Sequence, residues 1–340
     1  MPMGSAQRGL PKLVRVSLGS AIVLTLLDGK LDAPPTTAYL MTYREGKCSA
    51  NCQFCPQARK SRSRADMLSR ISWPVFSTRH VIEGIQNAVS NDVVKRVCIQ
   101  ALNYPGVFTH LEALVKTIGD QKQVPISISC QPLAKENVRL LAEAGAQRIG
   151  IPLDAASEEL FDKIKGASAG GPYSWKRQFE LLNDAVSIFG EGKVSTHLIV
   201  GLGETDSEIV QVIQKCVEIG VLPALFAFTP VFGTGLEGES QPPIERYRRI
   251  QVARSLILHE ATTFDKIRFG KDGQLLDFGV NKKTLDQIVR SGEPFVTSGC
   301  PNCNRPYYNE KPSGPIYNFP REPAEEELCE IREQLDLNGA

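Results

Sequence analysis

Along most of this chain, short apolar runs alternate with longer segments whose apolar positions recur every three or four residues. The runs "TTAYLMTY" (36–43), "VKRVCIQAL" (94–102), "VPISISC" (124–130) and "AQRIGIPLD" (146–154) read as buried strands. So do "VSTHLIVGLG" (194–203), "LPALFAFTPV" (222–231), "DKIRFG" (265–270) and "EPFVTSG" (293–299). Between them, "RHVIEGIQNAVS" (79–90), "FTHLEALVKTIG" (108–119), "AKENVRLLAEAG" (134–145) and "SWKRQFELLNDAVSIFG" (174–190) carry the helical period. "SEIVQVIQKCVEIG" (207–220), "IERYRRIQVARSLILHE" (244–260), "KKTLDQIVRSG" (282–292) and residues 324–336 continue it. Strand–helix alternation of this kind means parallel strands with crossover helices, and eight such steps predict a (β/α)8 barrel of the TIM type.

Three segments are expected: an N-terminal helical cap over 1–36, the barrel over 37–299, and a cysteine-bearing extension over 300–340. The apolar stretch "LVRVSLGSAIVLTLLD" (13–28) is interrupted by Ser and Gly and followed by charge, so it reads as a buried capping helix rather than a membrane anchor. The segment 301–323 is rich in Pro, Asn and Tyr and breaks the alternation, as an ordered loop or small lobe would.

Composition narrows the function. The 340 residues are 42% hydrophobic, enough for a large core, and the formal net charge of +1 offers no basic field for nucleic acid. The nine cysteines are clustered rather than spaced as a disulfide framework, which fits a reducing cytoplasm. Cys48, Cys52 and Cys55 stand as C-x3-C-x2-C in "CSANCQFCPQA", directly after the first predicted strand. A structural zinc site closes with four ligands, whereas three thiolates on one loop suit an iron–sulfur cubane with one iron left open. Barrel chemistry sits at the C-terminal ends of the strands, so this loop should cover the mouth.

That loop, its position and Phe54 within it resemble the radical S-adenosylmethionine (radical SAM) superfamily. The resemblance implies a [4Fe–4S] cluster on Cys48, Cys52 and Cys55, with S-adenosylmethionine bound to its open iron and Phe54 leaning toward the adenine. "HLIVGLGET" (197–205) resembles the superfamily's G-x-I-x-G-x-x-E motif, with Ile199, Gly201 and Glu204 in place and His197 at the usual first glycine. The alternative for Glu204 is a place in the first turn of the next helix. In "IPLDAA", Asp154 matches the ribose-binding carboxylate of biotin synthase and its relatives; the alternative is a cap for the helix starting at Ser157. Ala101 and Asn103, in "QALNYPG", stand where the family binds the amine of S-adenosylmethionine.

Similarity to biotin synthase extends over the barrel, but that family's internal cluster needs three cysteines and an arginine. Here Cys98 keeps one cysteine position while Ser127 and Ser195 take the others, so biotin synthase itself is not expected, and Cys98, Cys130 and Cys216 read as buried residues. Cys300 and Cys303 in "SGCPNCNRPYYNE", with Cys329 further on, supply three more thiols, for an auxiliary [4Fe–4S] cluster or a zinc knuckle, and the pair should emerge at the mouth. A C-terminal cysteine set on a biotin-synthase-like chain resembles a subunit of the split, two-protein lipoyl synthases. That implies sulfur insertion into a protein-bound octanoyl chain, with an octanoylated lipoyl-carrier protein, a companion radical SAM subunit and a ferredoxin- or flavodoxin-type electron donor as partners. The basic segment 59–70, with Arg59, Lys60, Arg62, Arg64 and Arg70, could face an acidic carrier or simply be solvated. A radical SAM enzyme of carbon-skeleton rearrangement and a zinc-stapled binding protein are the other readings.

Overall fold

The computed structural model describes residues 9–121 and 124–336. The chain runs β1 (Leu13–Val16), α1 (Leu18–Val23), β2 (Thr37–Thr42), a small hairpin of β3 (Met67–Leu68) and β4 (Ile71–Ser72), then β5 (Val75–Ser77) and α2 (Thr78–Ser90). Regular alternation follows: β6 (Arg96–Gln100), α3 (Val107–Gln121), β7 (Ile126–Ser129), α4 (Lys135–Glu143), β8 (Arg148–Gly150), α5 (Glu158–Ile164) and α6 (Trp175–Phe189). β9 (Val194–Val200), α7 (Asp206–Glu218), β10 (Val221–Ala227) and α8 (Ile244–Leu258) complete it. A second hairpin, β11 (Arg268–Phe269) and β12 (Leu275–Asp277), precedes α9 (Lys282–Arg290) and α10 (Glu325–Gln334).

The expected α/β architecture is present as an eight-stranded, mostly parallel sheet in the order β10-β9-β8-β7-β6-β2-β1-β5. β2, β6, β7, β8, β9 and β10 pair in parallel, in that order. The eight strands are not the eight of the sequence pattern, however. Two come from the N-terminal side: β1 inserts antiparallel between β2 and β5. The stretch read as one capping helix therefore splits at Ser17, whose hydroxyl accepts from the Ser20 N–H and starts α1. Val14 and Val16, both fully buried, lie in the strand rather than on a helix face.

The last two predicted strands stay out of the sheet. "DKIRFG" becomes a 3-10 turn followed by one arm of the β11–β12 hairpin. "EPFVTSG" opens with Glu293–Phe295 in a 3-10 turn after Gly292, at φ 71°, and Pro294 cannot donate to a ladder. Phe295 instead packs with Val252, Leu256, Val289, Phe319 and Ile331 in a separate apolar cluster beneath α8, α9 and α10. Among the described residues the sheet thus ends at β10 and β5 without closing on itself.

The C-terminal segment fills that gap. On the β10 side, Leu225 donates to the Ser298 hydroxyl (2.8 Å), and Thr229 donates to the Asn309 carbonyl (3.1 Å). On the other side, Ser69 donates to the Tyr308 carbonyl (3.3 Å), and Arg70 to the carbonyls of Tyr307 (3.0 Å) and Glu310 (2.6 Å). The chain around 298–310 is a strap of loop tied to β10 on one side and to the β3–β4 turn on the other. No helix among the described residues is long and apolar enough to cross a membrane.

Candidate functional site

The first cysteine loop is fixed by its own backbone. Cys48 donates to the Gln57 carbonyl (2.9 Å), Cys55 to that of Cys52 (3.0 Å), and Ser49 to that of Asn103 (2.7 Å). Lys47 bridges the carbonyls of Pro56 and Ser63, both at 2.6 Å. The thiols so placed line a cavity of about 250 Å³ inside the sheet's curve. Cys48 Sγ accepts from the backbone N–H groups of Asn103 (3.2 Å) and Ala50 (3.4 Å), donors that favour a thiolate. Burial pushes the Cys52 thiol up to about 12 and raises that of Cys55 as well, so a bound cation must supply the charge that ionises them. Among the described residues no three His, Cys, Asp or Glu side chains converge on one metal position. A mononuclear zinc would require that, with every thiolate at about 2.3 Å from one ion, whereas a cubane gives each thiolate its own iron. The donor set and its spacing fit the cluster.

Phe54, Ala101, Asn103, Asp154 and Ile199 line the same cavity. Asn103 also donates its side-chain amide to the Tyr173 hydroxyl. Asp154 is not a helix cap: Ser157 caps α5, its hydroxyl accepting from Leu160 N–H. Asp154 instead sits at φ 67°, donating to the His197 carbonyl and accepting from Ile199 N–H. Sequence reasoning missed its partner. Lys165 Nζ reaches Asp154 Oδ2 at 2.6 Å and the Pro152 carbonyl at 2.8 Å, in a pocket of Phe161 and Tyr173 rings. Both side chains of this pair are buried, at 0% and 8% exposure, so neither charge has water to fall back on. Lys165→Met should therefore destabilise the fold by roughly 3–5 kcal/mol, because it strands a buried carboxylate. Urea denaturation measures this, and adding Asp154→Asn should restore part of the loss.

Glu204 and Gly201 serve the site without facing the cavity. The Glu204 carboxylate accepts from the N–H groups of Gly201 (2.8 Å) and Leu202 (2.9 Å) and pairs with Arg246 at 2.9 Å. It braces the turn after β9, and Thr205, not Glu204, caps α7. Gly201 has φ 103°, and a Cβ there would lie 2.9 Å from Pro242, so the close approach demands glycine.

His197 lines the cavity against Phe226, at 4.8 Å between ring centroids. Burial, reinforced by Arg305 and Lys165 and opposed by Asp154, lowers its pKa to about 4. The folded state thus holds a neutral ring where the unfolded chain is protonated below about 6.5, and the fold loses stability as pH falls from there toward 4. An NMR titration should show no protonation of this ring between pH 8 and 5.

The second cysteine pair lies elsewhere than expected. Around it, Thr36 donates to the Asn302 carbonyl, Asn304 to that of Pro34 (2.9 Å), and Arg96 to that of Pro301 (3.3 Å). Thr36 precedes β2 and Arg96 begins β6, so Cys300–Cys303 plug the N-terminal ends of the strands, opposite the mouth. They still line the same cavity, from below. Cys329 does not join them: it is exposed on α10, outside the cavity lining. Cys98, read as a buried sheet residue, does face the pair, and both thiols raise its pKa further after burial. Cys130 also lines the cavity, while Cys216 is packed in the core.

A three-thiol loop after the first parallel strand, lining a cavity, agrees with the family match: the family model of the radical SAM superfamily fits residues 46–216. The chain belongs to the radical SAM superfamily. Among curated proteins it is similar to a biotin synthase of Persephonella marina, 27% identical over 216 residues, covering 62% of this chain and 60% of that protein. A biotin synthase of Magnetococcus marinus is 26% identical over 175 residues, covering 51% and 50%. The chain thus spans half to three-fifths of the length of these relatives. Among solved structures, methylornithine synthase superposes with a TM-score of 0.52 at 14% identity, over 66% of this chain and 63% of that one. The FeFe-hydrogenase maturase HydG from Carboxydothermus hydrogenoformans gives 0.51 at 15% identity, over 66% and 52%. At such identities these two neighbours speak for the fold alone.

Proposed function

We propose that this radical SAM enzyme inserts sulfur into unactivated C–H bonds of an octanoyl chain held on a carrier-protein lysine, together with a companion radical SAM subunit. The observation that carries the reading is the shared cavity: Cys48, Cys52 and Cys55 line its top, and Cys300 and Cys303 its bottom. A [4Fe–4S] cluster held by Cys48, Cys52 and Cys55 would, with bound S-adenosylmethionine, supply a 5′-deoxyadenosyl radical for hydrogen abstraction, and an auxiliary cluster on Cys300 and Cys303 would supply sulfide. The protein's task is to hold an aliphatic chain between them and keep water out. Met41, Leu102, Ile128, Ile149 and Phe228 give the cavity the apolar wall that an alkyl chain needs. Phe54, Asn103 and Asp154 stand at the end where the nucleoside would lie.

A carrier must deliver its lysine arm to the mouth. Of the basic segment, Arg70 is spent on the strap, and Arg59 donates to the carbonyls of Ser49 and Gly170. Lys60 stays exposed beside the cluster loop, as do Arg62 and Arg64, which pair with Glu237 (3.6 Å) and Asp66, and this exposed basic stretch offers a face for an acidic carrier. An external one-electron donor of the ferredoxin or flavodoxin type would reduce the upper cluster. The deciding experiment is mass spectrometry of an octanoyl-lysyl peptide incubated anaerobically with the protein, S-adenosylmethionine and reductant, with and without the companion subunit. A thiolated product is expected; 5′-deoxyadenosine with no mass gain of sulfur in either arm would exclude the reading.

A further inference from the structure

The lower thiols form a composite site, and we propose that Cys98, Cys300 and Cys303, not Cys329, are the cysteine ligands of an iron–sulfur cluster seated at the N-terminal ends of the strands. The sheet register carries the argument. Tyr39, Cys98 and Ser127 are direct neighbours across β2, β6 and β7, about 4.8 Å from strand to strand. The residue on either side of Cys98 touches one thiol of the strap. Tyr39 Oη lies 3.2 Å from Cys303 Sγ, and Ser127 Oγ lies 3.2 Å from Cys300 Sγ. The turn in which Cys303 donates to the Cys300 carbonyl holds that pair together, and all three cysteines line the cavity.

The surroundings suit thiolates. Gln100 Nε2 donates to Cys98 Sγ at 3.1 Å. Arg96, bonded to Ser127 at 2.9 Å, brings a guanidinium to the same floor, and the backbone N–H of Arg305 donates to Tyr39 Oη at 3.0 Å. One thiol on a strand and two on the strap would each take an iron of their own in a multi-iron cluster. The strap then has a second role. It completes the sheet and delivers two of the three ligands, so cluster and strap hold each other in place.

This ligand set deepens the sulfur-insertion reading, and iron binding tests it separately from product. The starting protein is the Cys48→Ala/Cys52→Ala/Cys55→Ala variant, reconstituted anaerobically with iron and sulfide, in which about four irons per chain should remain. Adding Cys329→Ser, on an exposed helix face, should change neither iron content nor the absorbance near 400 nm. Adding Cys98→Ser should cut iron to below about one per chain, with near-ultraviolet circular dichroism checking the fold. A further variant leaves only Cys98, Cys300 and Cys303 by adding Cys130→Ala, Cys216→Ala and Cys329→Ala, and it should still load. Iron lost with Cys329→Ser, iron kept with Cys98→Ser, or failure of the three-thiol variant to load each overturns the proposal. If iron follows the expected pattern and no thiolated product forms, the ligand set stands and the sulfur-insertion reading falls.

Discussion

Replacing Cys48, Cys52 and Cys55 together with Ala should reduce formation of 5′-deoxyadenosine to background while leaving about half of the reconstituted iron on the protein. The two halves of this result have separate causes. The upper loop closes on itself through Cys48, Cys52 and Gln57 backbone bonds, and the lower thiols are held by the strap. Cys98 lies within β6, whereas Asn103, whose N–H meets Cys48 Sγ, follows the strand's end at Gln100. Held by separate contacts, the two sites should load independently. Chromatography of 5′-deoxyadenosine and a colorimetric iron assay on one sample check both halves. Persistent cleavage of S-adenosylmethionine would mean that the loop is not the radical-generating site, and loss of all iron would mean that the lower site cannot load by itself.

How much of this was legible in the sequence follows from how local each feature is. The upper loop was readable because its three ligands lie within eight residues of one another and directly follow β2. The alternation from β6 to α8 was readable because each strand is buried on both faces and each helix on one. Asp154 was found by position, but Lys165 was not: their pairing depends on how α5 folds back over the end of β8, which no short-range pattern encodes. The strand insertion at β1 was hidden by composition, since Val14 and Val16 suit a buried helix as well as a strand until Ser17 is seen to cap α1. "EPFVTSG" has the right residues for a strand. Phe295 is drawn into the second apolar cluster instead, which leaves the sheet open for the strap. The association of Cys98 with Cys300 and Cys303 joins positions some two hundred residues apart. Spacing suggested Cys329 as the third thiol only because it is nearer in the chain.

Changing Cys300 and Cys303 to Ala should separate the two halves of the proposed reaction. The upper loop is untouched, and its contacts to Asn103, Gln57 and Ala50 do not involve the strap. Cleavage of S-adenosylmethionine should continue within about threefold of the parent protein, a change of less than ~1 kcal/mol in barrier. Hydrogen abstraction would then leave a carbon radical with no sulfide to meet, so the chain should be recovered unsulfurated or desaturated, and thiolated product should fall below detection. The Tyr39 and Ser127 hydroxyls each lose a sulfur partner, but both face the cavity and can turn to water, so a collapsed fold is not expected. A companion measurement is the number of turnovers. If the lower cluster is the sulfur source, the parent protein should stop after about one product per chain unless its cluster is rebuilt. Carbon–sulfur bond formation by the double variant, or many turnovers without repair, would leave Cys300 and Cys303 with a structural role only. The chain would then be a radical SAM enzyme whose chemistry ends at the carbon radical's own rearrangement.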